Sequence, residues 1–225
     1  ERDIRARMTR KASRPVPAGR VSNAEAVLLS ALTLGVGTAW LVWQVNLLTA
    51  TLGLASWIIY VAIYTPLKTR TPLNTTVGAV AGAIPILMGW SATGAPINLQ
   101  AMALAGVIFL WQFPHFMAIA WLYRRDYAAA GHQMLPVVDP TGLRCAAQAV
   151  VGALVLIPIS LIPSLSSAGG SPLVYFVWTL CLGLTQFGLA VRFALRRDEA
   201  SARLLLRATL FYLPAWLAML LMVTM

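Results

Sequence analysis

Apolar residues gather along this chain in seven long runs, at about 24–46, 50–66, 75–92, 101–122, 145–163, 173–191 and 204–225. Crossing a bilayer core takes roughly 17–25 predominantly apolar residues in a helix. Most of the runs reach that length; the second and third are shorter or rich in glycine. The pattern predicts an all-α, polytopic membrane helical bundle with seven transmembrane helices, residues 1–225 forming one membrane domain. Ser22 or Asn23 is placed to cap the first helix, with Glu25 in its first turn, and Asn74 or Thr75 to cap the third. Gly78 and Gly82 form a small-xxx-small pair that lets a neighbouring helix approach closely. Pro85, Pro114 and Pro214 sit inside apolar runs and are expected to kink or interrupt helices, freeing carbonyls that need other partners.

Composition agrees with lipid rather than water as the solvent. Of 225 residues, 59% are hydrophobic and 11% charged, against about 25% charged in ordinary soluble domains. The net charge of +10 leaves two explanations, a nucleic acid or an anionic membrane face. The positions of the 17 Lys and Arg residues decide between them. Arg2, Arg5, Arg7, Arg10, Lys11, Arg14 and Arg20 precede the first run, and Lys68 and Arg70 fall between the second and third. Arg124, Arg125 and Arg144 fall between the fourth and fifth; Arg192, Arg196, Arg197 and Arg203 fall between the sixth and seventh, and Arg207 in the first residues of the seventh. The connections 47–49, 93–100 and 164–172 carry none. With alternating helices every basic residue lies on one side, which the positive-inside rule makes the cytoplasm, or the matrix of a mitochondrion. A nucleic-acid partner has no use for such alternation. Cys145 and Cys181 make no disulfide framework and read as small apolar residues. The chain starts at Glu1 rather than methionine, which predicts further sequence upstream.

The seven acids, Glu1, Asp3, Glu25, Asp126, Asp139, Asp198 and Glu199, fall on the same side as the cations. A charged loop is ordinarily a solvated topology signal, and Arg196, Arg197, Asp198 and Glu199 are read that way. Two connections carry more. Residues 64–74 hold Lys68 and Arg70 between two prolines, with Tyr64 and Asn74 at the edges; residues 123–136 hold Tyr123, Arg124, Arg125, Asp126, Tyr127 and His132. Carboxylates bind Mg²⁺, which keeps several waters and takes substrate phosphates through one or two acids. Lys and Arg neutralise phosphate oxygens. The combination points to an anionic phosphate headgroup held beside an apolar cavity. Only two histidines are present, so a multi-His metal site is excluded. No nucleophile triad, phosphate-loop glycine pattern or zinc spacing occurs.

The run Trp111-Gln112-Phe113-Pro114-His115-Phe116, followed by Ala120-Trp121-Leu122-Tyr123-Arg124-Arg125-Asp126-Tyr127 and Gly131, closely resembles the protoheme IX farnesyltransferases, or haem O synthases, of the UbiA-type prenyltransferases. Tyr64-Thr65-Pro66-Leu67-Lys68, Thr71-Pro72-Leu73-Asn74, Gly82-Ala83-Ile84-Pro85 and Gly89-Trp90 match the same family in order, as do Asp3-Ile4, Met8, Arg10 and Arg14-Pro15. The resemblance implies nine spanning helices in a complete protein, two of them upstream of this chain. It implies Mg²⁺-dependent transfer of farnesyl from farnesyl diphosphate to a vinyl group of haem B, which is substrate rather than permanent cofactor. The product would be haem O for terminal oxidases.

The same resemblance assigns roles residue by residue. Asp3, Asp126 and Glu1 would hold the metal. Lys68, Arg70, Arg10, Arg14 and Arg124 would meet the diphosphate. Tyr64 and Tyr123 would bond the diphosphate or face the allylic cation, and Asn74 would line the pocket or cap a helix. Asp126, Asp3, Lys68 and Tyr123 form the expected catalytic set. His115 would touch the haem iron or a propionate, assist addition of water, or simply make an interhelical hydrogen bond. The family's first motif departs here: its asparagine would lie before Glu1, and Arg5 stands where another acid is common. Ala130 likewise gives Asp126 no second acid four residues on. Haem A synthase or terminal oxidase subunits are the expected assembly partners, in a bacterial plasma membrane or, in a eukaryote, the mitochondrial inner membrane. The competing readings are a UbiA-type aromatic prenyltransferase of quinone biosynthesis and a non-catalytic transporter or assembly factor. A transporter would place its ionisable groups nearer mid-membrane.

Overall fold

The computed structural model describes residues 13–165 and 171–224, without the side chain of Thr224. Among them seven helices are long and apolar enough to cross a membrane, and the chain is an integral membrane protein. The helices are α1 (Asn23–Gln44), α2 (Leu47–Ile58), α3 (Asn74–Ala92), α4 (Leu99–Leu122), the short α5 (Arg124–Ala129) and α6 (Leu135–Val138), α7 (Leu143–Leu161), α8 (Pro172–Arg196) and α9 (Glu199–Thr224). They fall into two compact units, one reaching to Pro96 and including Arg124–Val137, the other made of Ile97–Tyr123 and the chain from Val138 onward.

In the first unit α1 packs on α2, and α2 on α3. Ser22 caps α1 as expected: its Oγ accepts the Glu25 N–H at 3.2 Å while the Ser22 N–H donates to Glu25 Oε2 at 2.7 Å. This reciprocal pair satisfies two of the donors a helix start leaves open. The connection expected at 47–49 lies earlier. Asn46 caps α2 through a 2.8 Å bond from the Thr49 N–H and donates from Nδ2 to the Ser91 carbonyl of α3 at 2.7 Å.

The second span runs from Leu47 to Leu67, but not as one regular helix. Ile59–Tyr64 form a π-helical turn, and Thr65–Leu67 resume the α-helix. A π turn inserts a residue into the helical ladder and is frequent at functional sites.

Pro85, Pro114 and Pro214 do not interrupt their helices; α3, α4 and α9 continue through them. The expected rescue of a freed carbonyl is visible in α3. Pro85 lacks the N–H that would bond Ala81, and the Ser56 hydroxyl of α2 donates to that carbonyl instead, at 3.0 Å. Gly78 does not act through backbone approach. A Cβ there would stand 2.9 Å from the Tyr64 ring, so the glycine makes room for an aromatic side chain.

In the second unit α4 packs on α7 and α9, α7 on α8, and α8 on α9, closing a four-helix ring. Its buried face is built largely from small residues, among them Ala101, Ala118, Ala120, Ala149, Ala153 and Ala190. Large apolar side chains such as Val151, Leu173 and Leu210 are exposed. Lipid is as apolar as leucine, so burying leucine gains little there, whereas small residues bring backbones close. Gly152 shows how tightly: an added Cβ would meet Phe113 Cβ at 2.6 Å.

Candidate functional site

The two connections that stood out in the sequence meet in the first unit. The Gln133 N–H donates to the Lys68 carbonyl at 2.7 Å. Asn74 completes the junction: its Nδ2 donates to the Thr71 carbonyl at 2.6 Å and to the Gln133 carbonyl at 3.1 Å. Asn74 is 1% exposed, where an unmade bond is costly. It therefore does not cap α3, whose preceding residue, Leu73, makes no side-chain cap bond. It is the first residue of that helix, turned to stitch the connections together.

The segment 124–137 is shaped by a helix end. α5 stops after one and a half turns because Gly131 takes a left-handed φ of +71°. The Ala130 N–H then bonds the Asp126 carbonyl at 3.1 Å, and the Gly131 N–H the Ala128 carbonyl at 3.0 Å. His132 turns back, its N–H on the Tyr127 carbonyl at 2.9 Å and its buried ring edge-on to the Tyr127 ring at 5.9 Å. This reversal presents Gln133 to Lys68.

Lys68 is half-buried. Its Nζ stands 4.4 Å from the centroid of the Tyr64 ring and 5.6 Å from that of Tyr60. The two rings are themselves 5.2 Å apart, both on the π turn. Ring faces attract an ammonium through the ring quadrupole and so help fix where this cation stands. Tyr60 also lines a groove of about 1430 Å³ running along α1 and α2, with Leu34, Leu54, Trp57 and Val61 among its apolar walls. An apolar trough that shares Tyr60 with a ring-supported lysine suits an amphiphile with an anionic head.

The other expected residues are placed as follows. Asp126 lies in the first turn of α5 and is exposed, next to the exposed Arg125 and half-buried Arg124. Arg70 and Arg14 are exposed. Tyr123 ends α4 at 38% exposure, and His115 lies within α4; both belong to the second unit. The His115 Nδ1 is 3.0 Å from the Thr209 hydroxyl of α9, an interhelical hydrogen bond. Glu1, Asp3 and Arg10 lie outside the described residues.

Among the described residues no three His, Cys, Asp or Glu side chains group as for a metal. An exposed single carboxylate such as Asp126 still fits Mg²⁺, which uses one or two acids and fills its remaining positions with water and phosphate oxygens. Two other acids have different work. Asp139 accepts from the Thr141 hydroxyl and from the N–H groups of Thr141 and Arg144. The Thr141 hydroxyl first, then the Arg144 N–H, hold its carboxyl below the ordinary range. Asp198 is held down in the same way by the Ser201 hydroxyl and N–H at the start of α9.

Tyr60, Gln133 and Thr209 were not among the residues expected from the sequence. Tyr60 precedes Tyr64 by one helical turn, a spacing that signals a shared face. Gln133 acts through its backbone and leaves no side-chain signal.

The chain matches the UbiA prenyltransferase family over residues 1–222. It is 42% identical over 214 residues to the protoheme IX farnesyltransferase of Solibacter usitatus, covering 95% of this chain and 73% of the relative. It is 41% identical over 215 residues to that of Rhodopirellula baltica, covering 92% and 75%. A solved structure of digeranylgeranylglyceryl phosphate synthase shares the fold, with a TM-score of 0.79 at 14% identity, covering 99% of this chain and 78% of that one. The residue runs quoted above, the helical architecture and these matches agree: the chain belongs to the UbiA prenyltransferase family and, within it, to the protoheme IX farnesyltransferases.

Proposed function

We propose that this chain transfers the farnesyl group of farnesyl diphosphate to a vinyl group of haem B, giving haem O. The observation that carries the reading is the Gln133–Lys68 junction, which ties the Asp126-bearing segment to a lysine held near Tyr60, a residue that also lines the apolar groove. The names of the relatives supply the pair of substrate classes.

In this reading Lys68, with Arg70 and Arg124, holds the diphosphate oxygens, and the groove takes the tail. Burying hydrocarbon is worth about 0.8 kcal/mol per CH₂, so the tail needs no motif of its own. Asp126, together with Asp3 and Glu1, would hold Mg²⁺, which when bound withdraws charge from the leaving diphosphate. The allylic C–O bond breaks and diphosphate takes the electron pair. Tyr64 would bond the diphosphate or face the allylic cation. The terminal vinyl carbon of haem B forms the new C–C bond, and water adds at the adjacent carbon with loss of a proton, leaving a hydroxyethylfarnesyl group. Asn74 lines and closes the junction; Arg10 and Arg14 would add positive charge for the diphosphate. The matches along residues 1–222 support a single membrane domain. The distribution of arginine and lysine supports a cytoplasmic or matrix site. Haem A synthase or a terminal oxidase would receive the product.

The test is to supply the purified full-length protein with haem B, farnesyl diphosphate and Mg²⁺ and to identify the pigment by mass. Haem O is expected, lost with EDTA and in Asp126→Ala. Prenylation of a hydroxybenzoate with haem B untouched would show the quinone-precursor chemistry instead.

A further inference from the structure

Two side chains of α4, one turn apart, converge on one residue of α9. The Trp111 Nε1–H donates to the Thr209 carbonyl at 2.7 Å, and His115 Nδ1 lies 3.0 Å from Thr209 Oγ1. The Trp111 and His115 rings stack at 4.6 Å with 19° between their planes, as side chains four residues apart on a helix can. Thr209 is fully buried, whereas the His115 ring is half-buried.

The Thr209 hydroxyl has one proton to give. It lies 2.7 Å from the Leu206 carbonyl, the usual length of an O–H···O bond, whereas the 3.0 Å separation from His115 Nδ1 is the usual length for an N–H donor on oxygen. With the hydroxyl proton committed to Leu206, its oxygen accepts from His115. Nδ1 then carries the imidazole proton. A neutral imidazole has one donor and one acceptor nitrogen, so Nε2 keeps its lone pair, and no described residue bonds it. An imidazole that ligates a metal almost always donates its other N–H to a fixed acceptor in this way.

We infer that Thr209 is a positioning residue that holds His115 in the Nδ1–H form, so that Nε2 offers its lone pair to the iron of the porphyrin substrate. Trp111 fixes the ring plane by stacking and anchors the same residue of α9 through its indole N–H. The inference rests on the haem reading of the proposed function for its ligand, but not for its geometry.

The chain has two histidines, so full-length protein labelled at the histidine ring nitrogens gives two imidazoles, assigned by comparison with His115→Gln. Without haem, His115 is expected protonated at Nδ1 and bare at Nε2. Thr209→Val, close in shape but without the hydroxyl, should mix the two forms, and Thr209→Ser should restore the first. On adding haem B, the His115 Nε2 resonance and the Soret band should shift together, both shifts being lost in His115→Gln. The haem Kd of Thr209→Val should rise by roughly 10–100-fold, the usual effect of removing a ligand's outer hydrogen-bond partner, and Thr209→Ser should recover it. A wild-type His115 protonated at Nε2 overturns the inference even if Thr209→Val does not fold. So does a His115→Gln Soret band identical to the wild type. The full set of signatures in a protein that makes no haem O would support the clasp and reject the transfer reaction.

Discussion

The main-chain N–H of Gln133 bonds the main-chain carbonyl of Lys68 at 2.7 Å, joining two connections that lie far apart in the sequence. The bond is made by backbone, yet it depends on side chains around it. Gly131 turns the chain, and Asn74 holds the Gln133 carbonyl from the other side.

Asn74→Ala should therefore loosen this junction. It strips the Nδ2 donor from the Thr71 and Gln133 carbonyls. Leaving a buried polar group unpaired costs about 1–3 kcal/mol. Thermal unfolding in detergent should show the loss, and the KM for farnesyl diphosphate should rise. Wild-type melting together with wild-type KM would show that the stitch is idle.

Gly78→Ala acts on Lys68 at one remove. The added Cβ would sit 2.9 Å from Tyr64 Cε2, so the ring must leave its place beneath the Lys68 ammonium. A ring–cation contact is worth about 0.5–2 kcal/mol, and each 1.4 kcal/mol is about tenfold in affinity. The KM for the prenyl diphosphate should increase between about twofold and thirtyfold on this scale, with haem affinity unchanged. Equal losses for both substrates would point to general misfolding.

Lys68→Met and Tyr60→Leu should separate charge from support. The first removes the cation, raising the diphosphate KM by more than about tenfold, or about 1.4 kcal/mol, and weakening the salt dependence of binding. The second removes a ring 5.6 Å from the ammonium and should cost less, with the salt dependence kept. If Lys68→Met binds farnesyl diphosphate like the wild type, the anion is held elsewhere.

Asp139→Asn should alter the response to acid. The Thr141 hydroxyl and Arg144 N–H favour the ionised carboxylate in the folded protein, placing its pKa below the ordinary 3.8. Its stabilisation is therefore present above the ordinary carboxylate range and is lost as pH falls through the lowered folded value. Melting temperatures measured from neutral to acidic pH should be lower for Asp139→Asn at neutrality, and should converge with the wild type in acid. Parallel curves across the whole range would remove this role.

Much of the architecture was legible in the hydropathy pattern, because length and apolarity are local properties and lipid rewards them directly. The capping pair of Ser22 and Glu25 was legible for the same reason, since both partners lie within one turn. The second span was harder. Nothing in Ile59–Tyr64 marks a π turn, whose extra residue is stabilised by neighbours such as Thr65, which donates to the Tyr60 carbonyl. Asn74 looks like a cap in the sequence and is a cross-link in the fold, because both use the same side chain and differ only in what stands opposite.

From its residues alone, then, this chain determined seven lipid-spanning helices, the gathering of charge between alternate pairs, and its family. Tertiary structure decided which polar groups meet: Gln133 with Lys68, Ser56 with the carbonyl released before Pro85, Thr209 with His115. Spans follow from the free energy of moving each segment into hydrocarbon, which sums over neighbouring residues. Partnerships follow from the cost of an unmade bond in a medium without water, and only the folded arrangement sets which donor lies within reach.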